Sequence, residues 1–304
     1  MATAQSAPHV QTRLPSRPRW RWLRQLRRSP VGLFGAILVV LVLVAAVAAP
    51  VLSPHDPTKQ NLKSRMLPPA WHEEGNITYP LGTDQLGRDL LSRLIYGARV
   101  SVVVGVLGVV VSAIVGVALG LLSGFLGGWL DVLISRTVDT FMAIPFILLA
   151  LAVVGALGLG EGAGIITLVI VLGLTGWVTF ARVIRGEVLS IREREYVIAT
   201  RSIGQRPMRI LFRHILPNVT ASIIVLSTLQ ISTVILAESS LSFLGLGIQP
   251  PTISWGVMLA EGRDHLATSW WLATFPGIAI SLTVLGTILL GDWLRDVLDP
   301  RMKK

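Results

Sequence analysis

The sequence predicts an all-α, polytopic membrane protein with six transmembrane helices, and three observations carry that prediction. Of 304 residues, 52% are hydrophobic and only 14% charged, where soluble domains carry roughly 25% charged residues; the mean hydropathy is +0.67. The apolar residues gather in runs long enough to cross a hydrocarbon core of about 30 Å. The polar stretches between the runs hold most of the arginines, and in lipid only segments that satisfy their own backbone hydrogen bonds can span. The absence of cysteine removes disulfides, thiolate metal sites and cysteine nucleophiles together. A net charge of +10 points to topology rather than to nucleic acid, because the arginines sit at span ends.

Taken in order, residues 1–30 are a basic N-terminal tail with seven Arg and no acid, expected to be largely disordered, with Trp20 and Trp22 near the membrane surface. The first span is expected over 31–52. Residues 53–99 form the longest polar segment between spans and should end in an interfacial helix. Its apolar face would carry Leu90, Leu91, Leu94, Ile95 and Ala98, with Arg88, Asp89, Ser92 and Arg93 opposite, toward the headgroups.

Five further spans are expected within 100–297. The second span, Val100 to Leu126, carries Gly108, Ser112, Gly116, Gly120 and Gly124 at a spacing of four, a small-residue stripe that lets another helix approach closely. That helix could belong to the same chain or to a second membrane subunit, and Gly108, Ser112, Gly116 and Gly120 are assigned as subunit packing positions. A turn follows at Gly127, with Arg136 and Asp139 spaced to pair. The third span then runs to about Leu157, with Pro145 placed to kink it. A tight turn over 158–164 holds Glu161, and the fourth span covers Ile165 to about Ala181.

The fifth span, Pro217 to about Leu246, contains Gln230 and Glu238. An ionisable residue inside a span is by default a functional candidate, so these two are assigned to a possible translocation path; a packing hydrogen bond suits Glu238 equally well. Pro250 and Pro251 force an extended turn, Trp270 and Trp271 mark an interface, and the sixth span covers Ala273 to about Leu290. Residues 298–304 are the C-terminal tail.

The segment from Arg182 to Pro217 interrupts this pattern. Its 36 residues hold eight Arg and three Glu, so it cannot lie in hydrocarbon. Glu193 and Glu195 suit the first turn of a short helix, and Gly204 suits the left-handed position that ends it. Val197, Ile198, Arg201 and Ser202 recur at helical spacing, with small Ala199 and Thr200 between them, as in a helix that docks into a groove on another protein. Pro217 opens the next helix at a position where its missing N–H costs nothing.

This pattern resembles the coupling loop of ATP-binding-cassette importer permeases, known as the EAA loop. There a residue triplet, a three-residue gap, a Gly and a later Leu-Pro are fixed in spacing. Ile198-Ala199-Thr200 matches the triplet in its middle residue alone; Gly204 and Leu216-Pro217 match fully. The stretches Glu195-Tyr196-Val197 and Arg213-His214-Ile215-Leu216-Pro217-Asn218 are similar to the second permease of dipeptide and oligopeptide importers. So are Pro80 to Asp89, with Tyr79 where His commonly stands, and Gln249 to Gly256, with Ile253 where Pro is usual.

The resemblance implies the type I importer permease fold. It also implies contact with the ATPase through Glu195, Tyr196, Ile198, Ala199, Thr200, Arg201 and Gly204. The partners it implies are a second permease subunit, two ATP-binding subunits that hold ATP and Mg, and an extracytoplasmic substrate-binding protein. The chain has no GxxxxGK[ST] loop, so no cofactor is expected on it and hydrolysis falls to the partners. Peptides are the expected cargo, with glutathione or nickel complexes as alternatives within the family. With both termini in the cytoplasm, 20 of the 27 basic residues lie inside, and the resemblance implies a multi-pass protein of the bacterial cytoplasmic membrane. An intramembrane protease would need a catalytic pairing that the scattered histidines and serines do not offer; a secondary carrier would need coupling carboxylates at mid-membrane.

Overall fold

A computed structural model describes residues 21–156 and 164–298. The basic tail up to residue 20, most of the turn holding Glu161, and residues 299–304 lie outside the described residues. Among the described residues all regular structure is helical, apart from one isolated bridge between Thr83 and Asp89. The helices are α1 (Arg21–Arg28), α2 (Pro30–Val47), α3 (Ala49–Leu52), α4 (Leu90–Leu126), α5 (Gly128–Ala143), α6 (Phe146–Ala156), α7 (Ile165–Arg192), α8 (Glu195–Ser202), α9 (Pro207–Ile210), α10 (Leu216–Phe243), α11 (Trp255–Arg263) and α12 (Trp271–Leu298).

Among the described residues five segments are long and apolar enough to cross a membrane, and α5 with α6 makes a sixth if that bent pair is one span. The kink expected at Pro145 is a break: α5 and α6 meet at 105°. The expected first span also divides, at Ala48, because Pro50 has no N–H to continue the ladder of α2. α7 runs 11 residues past Ala181 to Arg192, so the first third of the polar interruption is helix rather than loop. Arg136 does not pair with Asp139; Arg182 of α7 does, at 3.0 Å, and Arg185 grips Asp131 through Nε and Nη2 at 2.6 and 2.8 Å.

The interfacial helix expected before Val100 is the start of α4, a single helix of 37 residues and about 55 Å at 1.5 Å per residue. Its polar face does not meet headgroups. Asp89, Ser92 and Arg93 are at most 2% exposed, because the preceding loop and α11 cover them. Asp89 caps α4 through Ser92 N. Arg93 bonds Asp84 and, at 2.7 Å, Glu261 of α11; Arg88 reaches Asp84 at 2.6 Å and Glu261 at 3.3 Å. Asp84 also accepts backbone bonds from Leu86 and Arg88 at 2.8 and 2.9 Å. Two arginines and two acids thereby neutralise one another, and Pro80 to Asp89 becomes a fixed plate over the outer face of the bundle, the end opposite the 182–217 segment.

α4 and α7 form the central pair. Val104, Val109, Leu168, Leu172 and Phe180 build the middle of the core with Val234 and Leu241 of α10. A second cluster at the opposite end joins Phe125, Ile184 and Val188 to Val197, Ile210 and Ile215 of the polar segment, so that segment is bolted to the bundle by apolar burial.

Candidate functional site

The site begins where α7 leaves the bundle. Its last turn ends on Arg192, whose Nη1 donates to the Gly124 carbonyl at the end of α4 at 2.9 Å, a favourable place for a cation against helix-terminal carbonyls. After Glu193 and Arg194 the chain turns into α8, with Glu195 in the first turn. α8 stops in a double closure: Gly204 N donates to the Arg201 carbonyl at 3.0 Å and Gln205 N to the Thr200 carbonyl at 3.3 Å. That geometry requires a left-handed residue, and Gly204 has φ +76°. α9 follows, then a π-helical turn over Leu211–Ile215 that leads directly into α10, with Pro217 in its first turn.

Burial divides the sequence-assigned residues. Val197 is 0% exposed and packs into the apolar cluster with Phe125, Ile184 and Val188, not outward as the helical spacing suggested. Thr200 is 8% exposed and its hydroxyl donates to the Tyr196 carbonyl, so it braces α8 and does not face a partner; its assignment to the contact surface is corrected. Arg201 lies over the Phe125 ring at 6.0 Å, which ties α8 to the end of α4. Glu195, Tyr196, Ile198, Ala199 and Gly204 are exposed.

Sequence reasoning missed Ile203, Met208 and Phe212, which are 76%, 55% and 60% exposed. With Tyr196 and Ile198 they leave large apolar side chains uncovered among the exposed Arg194, Arg206, Arg209 and Arg213. The readable signal was isolated bulky apolar residues in a basic stretch, where solvation alone would favour small or charged ones. Chemically the segment from Glu195 to Arg213 offers exposed apolar side chains interspersed in sequence with guanidinium groups, and Val197, Ile210 and Ile215 hold it to the bundle. Among the described residues no group of three His, Asp or Glu side chains could hold a metal ion.

The other assigned residues fall elsewhere. The small-residue stripe faces α7 of the same chain: Ser112 Oγ donates to the Gly173 carbonyl at 3.2 Å, and a Cβ on Gly120 would stand 2.7 Å from the Ala181 carbonyl. Gly108, Ser112, Gly116 and Gly120 are all buried there, so the subunit-packing assignment is corrected to packing within the chain. Gln230 is half-buried beside the same crossing, near Gly176. Glu238 is 0% exposed among hydroxyls, so it lines no open path in this conformation, and the packing hydrogen bond is the role observed.

Residues 116–304 match the family described as "Binding-protein-dependent transport system inner membrane component", and residues 18–69 match "N-terminal TM domain of oligopeptide transport permease C". The chain belongs to this family of transport permeases. It is 45% identical over 299 residues to the dipeptide transport system permease protein DppC of Escherichia coli, covering 98% of this chain and 97% of that one. It is 44% identical over 272 residues to the di/tripeptide transport system permease protein DppC of Pseudomonas aeruginosa, at 90% and 88% coverage. The glutathione transport system permease protein GsiD of Shigella flexneri is 43% identical over 293 residues, at 96% and 93% coverage. The expected all-α importer-permease fold is thus the fold of this multi-pass membrane protein, and the first match contains the whole of α8 and its exposed apolar surface.

Proposed function

We propose that the chain is one of the two permease subunits of an ATP-binding-cassette importer for short peptides, working with two ATP-binding subunits and an extracytoplasmic binding protein. The observation that carries this reading is α8. Its buried side chains fix it to α4 and α7, its exposed Tyr196 and Ile198 are free for a partner, and it connects through α9 to the long rod of α10. A helix anchored on one side and open on the other passes a push from an ATPase to the spans, exchanging outward and inward access by rigid-body tilt. ATP and Mg would be held by the partner subunits. Both termini and α8 face the cytoplasm, supported by the 20 basic residues that this orientation keeps inside.

Peptide cargo is supported by the full-length similarity to the dipeptide permeases. Glutathione, itself a short peptide, is the second reading and rests on a relative of nearly equal identity. The test is reconstitution of the complete importer in vesicles, with ATP-dependent uptake of dipeptides, tripeptides and glutathione measured side by side. Uptake of dipeptides in preference to glutathione is the expected result. A chain that purifies without ATPase subunits and moves peptides down an ion gradient would sink the importer reading.

A further inference from the structure

Glu238 stands near the outer end of α10, and all four of its hydrogen-bond donors are hydroxyls. Oε1 accepts from Ser242 and Ser254 Oγ, each at 2.9 Å, and Oε2 from Ser101 Oγ at 3.2 Å and Ser239 Oγ at 3.4 Å. Among the described residues no cation pairs with it. Three of the hydroxyls are occupied on their other side by backbone N–H groups. Ser101 Oγ accepts from Trp255 N at 3.4 Å, Ser254 Oγ from Val257 N at 3.2 Å, and Ser242 Oγ from Ile248 N at 3.2 Å. Trp255 N and Val257 N belong to the first turn of α11, so the positive end of that helix reaches the carboxylate through one layer of serine.

The opposite end of α11 is held by a second acid. Glu261 bonds Arg93 and Arg88, and through them Asp84, which orders the outer plate. α11 is nine residues long; Glu238 ties its start to α10 and, through Ser101, to α4, while Glu261 ties its end to Arg93 in the first turn of α4 and to Arg88 of the outer loop. α10 in turn is continuous with the α9 segment over Pro207–Phe243, 37 residues. The rod that starts beside α8 thus ends in the serine cage, and it cannot tilt without carrying the start of α11 or breaking those bonds.

We infer that Glu238 is a positioning residue: its carboxylate fixes α11 to the outer end of α10, and through α11 it sets the outer loop against which an extracytoplasmic binding protein docks. This rests on the importer reading above. Glutamine at 238 keeps the volume but turns an acceptor oxygen into an NH₂ group facing hydroxyls whose own protons then lose their acceptor. The start of α11 loosens while the apolar core stays intact.

The test uses the complete importer in vesicles and compares wild type with Glu238→Gln, Glu261→Gln and the double variant. In Glu238→Gln, stimulation of ATP hydrolysis by the peptide-loaded binding protein should fall about tenfold, with hydrolysis in its absence unchanged, as a lost coupling on the order of 1.4 kcal/mol requires. The double variant should fall no further than the worse single one, because both acids hold the same helix. A purely structural role would lower both activities together and would overturn the inference.

A second readout needs no transport. The chain has no cysteine, so a spin label attached to Asp264→Cys on the isolated permease chain, before the importer is assembled, reports the end of α11 alone. Its mobility should rise in Glu238→Gln while a label on Ile166→Cys of α7 stays unchanged; equal mobility at 264 would refute the proposal. Ser101→Ala removes a single donor and should shift both readouts in the same direction by less, which keeps the inference testable if Glu238→Gln fails to assemble. If the wild-type complex takes up no peptide, the importer reading fails, while the label still decides the place of Glu238.

Discussion

Gly116 of α4 and Trp177 of α7 meet backbone to side-chain position: a Cβ at 116 would stand 2.3 Å from the Trp177 carbonyl oxygen and 2.6 Å from the Cβ of Phe180. A backbone oxygen cannot rotate away, so the two helices must separate to admit any side chain. Gly116→Leu should cost about 1 to 3 kcal/mol or more, and Gly116→Ala a smaller part of that. Because the contact lies within one chain, the loss should appear in the isolated subunit as a lowered thermal midpoint in detergent, before any partner is added. An isolated Gly116→Leu subunit as stable as wild type would mean that α4 and α7 are not paired this way.

The buried charges on the outer face give a second contrast. Arg93 is 2% exposed, and its Nη1 is held by Asp84, itself 3% exposed. Asp84 and Glu261 together balance Arg93 and Arg88, so removing the Asp84 charge leaves two arginines sharing one acid and one cation uncompensated, which costs up to about 3 to 5 kcal/mol. Asp84→Asn should therefore unfold the outer loop or abolish assembly, read as rapid proteolysis between residues 53 and 89 from the outer side. Asp264→Asn breaks only the Arg263–Asp264 pair, whose side chains are 53% and 75% exposed, and should cost less than about 1 kcal/mol. Comparable losses in the two variants would show that the Asp84 network contributes nothing beyond a surface pair.

The difference between these pairs is also the difference between what sequence reading could reach and what it could not. Span existence was legible because a run of apolar residues has few other stable states, and the stop at Gly204 was legible because few residues tolerate its φ. The period of four in α4 revealed that one face is approached closely, but spacing on one helix carries no information about which helix approaches. The polar face of Arg88, Asp89, Ser92 and Arg93 was likewise seen as a face and wrongly covered with headgroups, because its counter-charges lie far away in sequence; Glu261 is 168 residues from Arg93. Val197 and Thr200 were misread for a local reason. On a helix of eight residues the spacing fits more than one face, and the Thr200 hydroxyl is spent on its own backbone.

Topology supplies a third prediction. Asn76 is exposed on the outer loop and Ser202 on α8, and the proposed orientation puts them on opposite sides of the membrane. In a chain without native cysteine, Asn76→Cys should react with a membrane-impermeant maleimide in intact cells, and Ser202→Cys only after the membrane is permeabilised. Labelling of Ser202→Cys from outside would invert the orientation and remove α8 from the reach of any cytoplasmic ATPase.

The last prediction concerns α8 and its end. Gly204 has φ +76° and no atom within 4 Å of where its Cβ would be, so a side chain there meets no neighbour and acts only through the backbone. A β-branched residue in that conformation is strained by about 1 to 2 kcal/mol, and the strain is relieved by unwinding the closure that Gly204 N and Gln205 N make onto the Arg201 and Thr200 carbonyls. Val197 would remain in its apolar socket while Ile198 and Ile203 lose their fixed spacing. Gly204→Val should therefore leave the spans folded but reduce recovery of ATPase subunits on the purified permease, or uncouple their hydrolysis from uptake. Gly204→Ala should be milder, and Gly204→Asn milder still, since a short polar side chain tolerates the left-handed region. The order Asn, Ala, Val is the diagnostic, because a steric effect would follow volume and rank Asn worse than Ala. Normal ATPase recovery and coupled uptake in Gly204→Val would reduce this segment to a tether and leave the exposed apolar surface of α8 without the role proposed for it.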